Sequence, residues 1–415
     1  MSERRVSSIA DCCDILDNFR VPINDEERQT MHGNIPYYGA NGVQGYIDRY
    51  IFDEDLILIA EDGGYFEEYS TRPIAYKISG KSWVNNHAHI LKAKINFNQD
   101  YIFYSLVHKD ILRFIKGGTR SKLNKSELER IEIELPATKY EEDKIANILS
   151  TCDAVIEKTQ AAIDKYKAIK QGMLHDLFTR GIDIATGKLR PKYEDAPALY
   201  KESKLGMVPR EWDEKALVEL TTQIGDGIHT TPQYSENTDF NFINGNNLKD
   251  GEIDIKDFTL CISEEEYKKH FKELNDRTIL YSINGTIGNI AFYNHQKVIL
   301  GKSACYISCE QNVNLDYIFF ILQSDPILKF YEIEMTGSTI KNLSLDSVRN
   351  TPITIPKDDR EQELIAKRVR TINDKLDTEQ SYLRKLQSIK QGLMADLLSG
   401  KKRVKVPEEV LAVSN

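Results

Sequence analysis

Residues 141–180 read EEDKIANILSTCDAVIEKTQAAIDKYKAIKQGMLHDLFTR, and residues 361–400 read EQELIAKRVRTINDKLDTEQSYLRKLQSIKQGLMADLLSG. Lys170-Gln171-Gly172 aligns with Lys390-Gln391-Gly392 at an offset of 220. Without a gap, that offset also pairs Ile133/Pro136 with Ile353/Pro356, Glu141 with Glu361, Ile145/Ala146 with Ile365/Ala366, and Asp176/Leu177 with Asp396/Leu397. It reaches back to Gly117-x-Thr119 and Gly337-x-Thr339. The chain is a duplicated unit, and the duplication frames every later reading.

Each copy carries a seam. The first runs Ile145, Leu149, Cys152, Ile156, (Thr159), Ile163, Tyr166, (Lys170), Met173, Leu177. The second runs Ile365, Val369, Ile372, Leu376, (Glu379), Leu383, Leu386, (Lys390), Leu393, Leu397. Steps alternate four and three, the average of a coiled-coil seam rather than the wider stripe of a surface helix. The polar interruptions fall at equivalent places, where polar residues can fix register and partner number at some cost in stability. Two amphipathic helices, each packed on its own globular domain, is the plainer alternative. Matching seams favour two helices packed on each other.

At 415 residues the chain has room for two or more domains. A hydrophobic content of 40% suits a globular protein, and no apolar run approaches the roughly 20 residues of a membrane span. The opening MSERRVSSIADCCDIL lacks the apolar core of a signal peptide, so no membrane partner and a cytoplasmic location are expected. Cys12-Cys13 is poor disulfide geometry, and Cys305 and Cys309 have no second Cys/His pair nearby, so no metal is expected. The net charge of −9 argues mildly against a nucleic-acid partner. It does not locate charge, however, and an acidic chain can carry a basic face.

The layout has six parts: a mixed strand-and-turn domain over 1–136, a long helix over 137–182, a linker over 183–206, a second mixed domain over 207–356, a second long helix over 357–404, and a tail over 405–415. Strand-like runs in the first domain include Leu56–Ala60, Ile74–Ile78 and His89–Leu91; Tyr101–Phe114 has helical periodicity, matched by a helix over Asp316–Tyr331. The helices are alike while the domains differ, so the helices do one thing twice and the domains do two different things.

No catalytic constellation emerges. Asn34-Ile35-Pro36-Tyr37 lacks the first proline of the N-P-P-Y of adenine methyltransferases, and no F-x-G-x-G loop accompanies it. The glycines of 39–45 lack a strand–loop–helix frame and read as a turn. Asp55, Glu61 and Asp62 do not complete a nuclease arrangement and read as a solvated turn. His87 and His89 alternate along a strand, so they face opposite sides and cannot chelate together.

The chain resembles the specificity subunit of type I restriction–modification systems along essentially its whole length. In the first domain the resemblance rests on Ile35–Gly42 (IPYYGANG), Glu61–Gly64 (EDGG), Trp83–Ile90 (WVNNHAHI), Gly118–Asn124 (GTRSKLN) and Ile133–Pro136. In the second it rests on Val208–Trp212 (VPREW), Gly227–Pro232 (GIHTTP), Ile279–Gly288 (ILYSINGTIG), Gly337–Leu343 (GSTIKNL) and Ile353–Pro356. The family's Glu-Gln after the proline stands as Glu361-Gln362 in the second copy but as Glu141-Glu142 in the first.

The resemblance implies an α+β architecture: two mixed α/β target-recognition domains joined by two long repeated helices that form an antiparallel coiled coil. It implies a phage-defence, DNA-binding subunit without catalysis, whose domains each read half of a bipartite, asymmetric double-stranded site. Partners would be two methylation subunits and two motor-nuclease subunits, which would carry the S-adenosylmethionine, ATP and Mg²⁺; the assembly would be an adenine DNA methyltransferase and ATP-dependent endonuclease. Forty helical residues span about 60 Å, or about 17 base pairs, an outer bound on half-site separation.

Base readout needs amide, hydroxyl, Arg and Lys groups on loops. In the first domain the candidates are Tyr38, Asn41, Asn85, Asn86, Arg120 and Lys122. In the second they are His229, Thr230, Asn246, Asn247, Asn284, Thr286, Lys302, Thr339 and Lys341. Turn formation explains many of these residues equally well. Lys170, Gln171, Lys390 and Gln391 are partner-contact candidates, with register control the alternative. A coiled-coil scaffold joining two protein-binding domains and a fused methyltransferase are the competing functions.

Overall fold

The computed structural model describes residues 4–117, 121–335 and 342–407. Both repeat copies are continuous helices, Lys139–Thr179 and Asp359–Leu398. Every seam position named from the sequence is buried or half-buried, the polar ones included. The chain divides into two compact units, Met1–Ala161 with Gln380–Asn415 and Ala162–Glu379, so each unit holds one domain and a portion of both long helices.

In the first unit Ile145, Ala146 and Leu149 share a core with Leu393, Met394, Leu397 and Leu398. Lys390 reaches Asp153 at 2.5 Å. In the second unit Leu174, Leu177 and Phe178 share a core with Ile365, Ala366 and Val369, and Lys375 lies 5.8 Å from the centre of the Tyr166 ring. In both, the beginning of one helix meets the end of the other, so the pairing is antiparallel. The polar seam residues are satisfied locally: Thr159 donates to the Val155 carbonyl at 2.8 Å, and Glu379 pairs with Lys375 at 2.8 Å.

The two domains share a frame that their sequences conceal. In the first, Cys13–Ile15, Ala88–Ala93, Leu56–Ala60 and Ala75–Ile78 form a four-stranded antiparallel sheet in that order. In the second, Thr221–Asp226, Ala304–Cys309, Thr278–Ser282 and Ile290–Phe292 repeat it. A parallel pair follows in each, Ile35–Gly39 with Lys81–Val84 and Asn241–Ile243 with Val298–Leu300. A two-stranded clasp then ties the start of each domain to its end, Arg5–Ser8 with Glu132–Leu135 and Trp212–Ala216 with Pro352–Pro356. Even the tyrosines correspond: Tyr101 donates to the Glu134 carbonyl and Tyr317 to the Thr354 carbonyl, each at 2.7 Å.

Two expected helices are broken. The helix from Gln99 stops at Leu106, with a short 3-10 turn at Leu112–Phe114. The span 316–331 is two helices, Leu315–Ile321 and Asp325–Glu334. Pro326 lacks the N–H that a continuing helix would use, so it sits in the first turn of a new one.

The linker-like stretch is pinned rather than loose. The Glu361 carboxylate accepts from Arg190 at 2.5 and 2.9 Å, from the Ile182 amide at 2.8 Å and from the Trp212 indole at 3.2 Å. Gly181 has φ +64, and a Cβ there would stand 2.3 Å from the Glu361 carboxylate, so glycine is required on both counts.

The first copy's departure from Glu-Gln has a consequence. Glu142 is fully buried; Oε2 accepts from the Asn98 amide at 2.8 Å, whereas Oε1 has no hydrogen-bond partner among the described residues and meets only the Arg5 guanidinium at 3.7 Å. Burial raises its carboxyl above the ordinary range, against the opposing pull of Asn98 and Arg5. The folded chain therefore holds this proton more tightly than the unfolded chain. The contribution is present below the ordinary carboxyl range and is lost as pH rises through the raised value. Glu142→Gln is expected to raise stability at neutral pH by about 1 kcal/mol and the unfolding midpoint by about 2–4 °C. It should also flatten the stability profile between pH 4 and neutrality, measured by thermal melts across that range. An unchanged or lowered midpoint at pH 7 would contradict this.

Candidate functional site

Three loops in each domain are stitched together by corresponding backbone hydrogen bonds. In the first domain the Asn85 amide donates to the Tyr38 carbonyl (2.9 Å), Glu61 to His87 (2.8 Å) and Leu123 to Glu61 (2.7 Å). In the second, Gly301 donates to Ile243 (2.8 Å), Ile283 to Ser303 (2.9 Å) and Leu343 to Ile283 (2.8 Å). This stitching gathers residues 61–64, 85–87 and 121–123 in one domain, and 283–286, 301–303 and 342–343 in the other.

Most of the candidates named from sequence fall in or beside these clusters. In the first domain Asn41 is exposed and donates to the Gly63 carbonyl at 2.9 Å; Asn86 is exposed. Lys122 is exposed but pairs with Glu61 at 3.0 Å. Tyr38 is half-buried, its ring centre 6.0 Å from that of Tyr76, and burial pushes its hydroxyl up. Asn85 is 3% exposed and bonds Gln44 and the His87 amide, so it shapes the loop rather than facing outward.

In the second domain the Ile228 amide donates to the Leu300 carbonyl at 2.7 Å, which lays exposed His229 and Thr230 beside the 301–303 loop. That approach needs Gly227, where a Cβ would stand 2.2 Å from the Leu300 carbonyl oxygen. The Gly245 amide bonds Ser303 Oγ at 2.9 Å, bringing exposed Asn246 to the same place. Lys302 and Thr286 are exposed and Asn284 half-buried, with no side-chain bond among the described residues. Asn247 is spent internally, accepting from the Asn244 amide and donating to the Asp254 carbonyl. Its amide turns the loop. Arg120, Thr339 and Lys341 lie outside the described residues.

Sequence reasoning missed a charged network beneath the first cluster. Arg20 reaches Glu61 at 2.6 Å, and His89 meets Asp17 at 2.5 Å and the Leu123 carbonyl at 2.7 Å. Glu61 is therefore largely buried in an ionic network, not part of a solvated turn. Burial would raise the Asp17 and Glu61 carboxyls, but their hydrogen bonds outweigh it, from His89 to Asp17 and from Arg20 and Lys122 to Glu61; both end below the usual range. Asp17, Glu61 and His89 converge closely enough to suggest metal ligands. Both His89 nitrogens and both carboxylates already have protein partners, so this donor set is satisfied without an ion. His87 pairs separately with Asp62 at 2.7 Å, away from the His89 contacts.

On the long helices, Lys165, Ile169, Gly172 and Asp176 step four, three and four residues apart along one face. They recur unchanged as Lys385, Ile389, Gly392 and Asp396. Ile169 and Ile389 are 40% and 44% exposed, and a Cβ on either glycine would meet none of the described residues within 4 Å. Seam neighbours vary between copies (Tyr166 and Leu386, Met173 and Leu393), whereas this outward stripe does not. Gln171 and Gln391 are also exposed, but Lys170 and Lys390 lean half-buried into the seam. The stripe was legible in the repeat as identity at positions off the seam.

The model of the type I restriction modification DNA specificity domain family matches residues 1–165 and 209–388. The chain belongs to this family. A Haemophilus influenzae protein, provisionally named a type I restriction enzyme specificity subunit, is 26% identical over 420 residues, covering 99% of this chain and 95% of its own. The type I restriction enzyme MjaVIII specificity subunit of Methanocaldococcus jannaschii is 25% identical, covering 74% of this chain and 70% of its own. The crystal structure of a type I system S subunit from M. genitalium matches with a TM-score of 0.62 at 17% identity, over 98% of this chain and 97% of that one. A chain from a study of complex assembly and conformational transition of the type I system matches at 0.52 and 12% identity, over 95% and 97%. These two likenesses share the fold. As a type I specificity protein, the chain has no helix among its described residues long and apolar enough to cross a membrane.

Proposed function

We propose that this specificity subunit reads a bipartite, asymmetric duplex DNA site, one half with each domain. The long helices space the two domains and dock two methylation subunits. The observation that carries the reading is the contrast between the two kinds of surface. The domains present different side chains on one shared loop frame, as two different half-sites require, while the helices repeat one exposed stripe, as two copies of one partner require.

Asn41, Asn86, His229, Thr230, Asn246, Asn284, Thr286 and Lys302 are the base- or phosphate-facing candidates this geometry supports. Lys122 is a phosphate candidate that would have to leave Glu61. The chain does no chemistry itself: methyl donor, ATP and Mg²⁺ belong to the methylation and motor-nuclease subunits, which assemble with it in the cytoplasm.

Expression with the methylation subunit, followed by genome-wide mapping of methylated adenines, tests this directly. One two-part motif with a fixed gap is expected, and exchanging residues 1–136 should alter one half alone. A single continuous motif would leave only one domain reading bases. No methylation from a competent, co-purifying partner would favour the scaffold reading instead.

A further inference from the structure

We infer that Arg20, Asp17 and His89 are positioning residues that hold the first domain's DNA-facing loops in register, an inference that rests on the DNA-reading function proposed above. Arg20 contacts Glu61 at 2.6 Å, the Ala88 carbonyl at 2.9 Å, the Asn86 carbonyl at 3.3 Å and Asp17 at 3.4 Å. One guanidinium therefore fastens the 61–64 loop to the loop that carries Asn86. Its planar fork suits it to several acceptors at once.

Asp17 holds the other side. One carboxylate oxygen accepts from the Ile90 amide at 3.0 Å, and the other meets His89 Nδ1 at 2.5 Å. His89 is fully buried and donates through Nε2 to the Leu123 carbonyl at 2.7 Å, next to Lys122. Lys122 closes the circuit onto Glu61 at 3.0 Å. All three loops thus hang on the segment 17–20, through side chains that, among the described residues, touch the recognition candidates only at Lys122 and at the Asn86 backbone carbonyl.

Among its described residues, the second domain lacks this device. Its backbone stitching puts Ile283 where Glu61 stands, Cys305 where His89 stands and Asn342 where Lys122 stands. Ile283 and Cys305 are buried apolar groups, and what remains is Asp226 with His229 at 2.7 Å. The network therefore serves one half of the site. Loops held by buried ionic contacts respond sharply when one partner goes, because the charges left behind must find water or new partners.

The test uses the full chain with Arg20→Met, Arg20→Lys and Glu61→Gln. In hydrogen exchange, amides of 61–64, 85–90 and 121–124 should exchange about tenfold faster or more in Arg20→Met. Strands Leu56–Ala60 and Thr278–Ser282 should stay protected, and Arg20→Lys should fall between, since lysine keeps the charge without the fork. In complex with the methylation subunit, Arg20→Met should methylate a motif degenerate in one half and intact in the other. Unchanged loop exchange overturns the inference, as does equal degradation of both halves. If Arg20→Met unfolds its domain, Glu61→Gln carries the same expectations at similar volume. If the unaltered chain yields no two-part motif, the DNA-reading proposal fails, and loop exchange alone decides whether the network positions these loops.

Discussion

Gly172→Arg combined with Gly392→Arg is expected to abolish docking of the methylation subunits while making the chain slightly more stable. A glycine inside a helix costs about 0.8–1 kcal/mol relative to good helix formers, and no described residue stands within 4 Å of a Cβ at either position. Arginine should therefore raise helix stability at both sites. The glycines earn that cost only if something outside the chain approaches the backbone closely between Ile169 and Asp176, and again between Ile389 and Asp396. Each single variant should weaken one docking site by about 2–3 kcal/mol, or roughly 30- to 150-fold. Mass measurement of the purified complex would then find one methylation subunit instead of two, and none with the double variant. Two bound subunits at full affinity would remove the stripe from the interface. A fall in the unfolding midpoint would show that the glycines serve the fold.

Glu361→Ala should have the largest effect on stability. It leaves Arg190, 8% exposed, without its bidentate partner, and strands the Ile182 amide and the Trp212 indole. Removing one member of a buried ion pair typically costs about 3–5 kcal/mol. The second unit should therefore melt about 10 °C lower, and limited proteolysis should cut first within 181–212. Glu361→Gln keeps the volume and an acceptor oxygen, and should recover part of the loss. Equal midpoints for the Ala variant and the unaltered chain would mean that Glu361 is dispensable as an anchor. The corresponding Glu141 of the first copy makes no such side-chain bonds among the described residues, so Glu141→Ala is the milder control.

The long helices were written in the sequence because a helical seam is local: a four–three alternation of apolar residues, stated twice in step, specifies both the helices and their mutual packing before any contact is seen. The family, too, was carried by motifs that survive as short strings, from Ile35–Gly42 to Gly337–Leu343. What sequence could not supply was the equivalence of the two domains. Their shared frame lies in strand pairings and in backbone bonds such as Glu61 to His87 and Ile283 to Ser303, which are indifferent to side-chain identity. Nor could it sort the asparagines: Asn85 and Asn86 are neighbours, yet one is buried in the loop it shapes and the other is exposed. The Asp17–Arg20–Glu61–His89–Lys122 network was hidden for the same reason. Its members lie up to about a hundred residues apart, and only the folding of three loops onto one segment brings their charges within reach of each other. Periodic, local features were determined by sequence alone, whereas the burial and pairing of isolated polar groups were decided by the tertiary structure, because desolvation acts on a residue's surroundings and not on its neighbours in the chain.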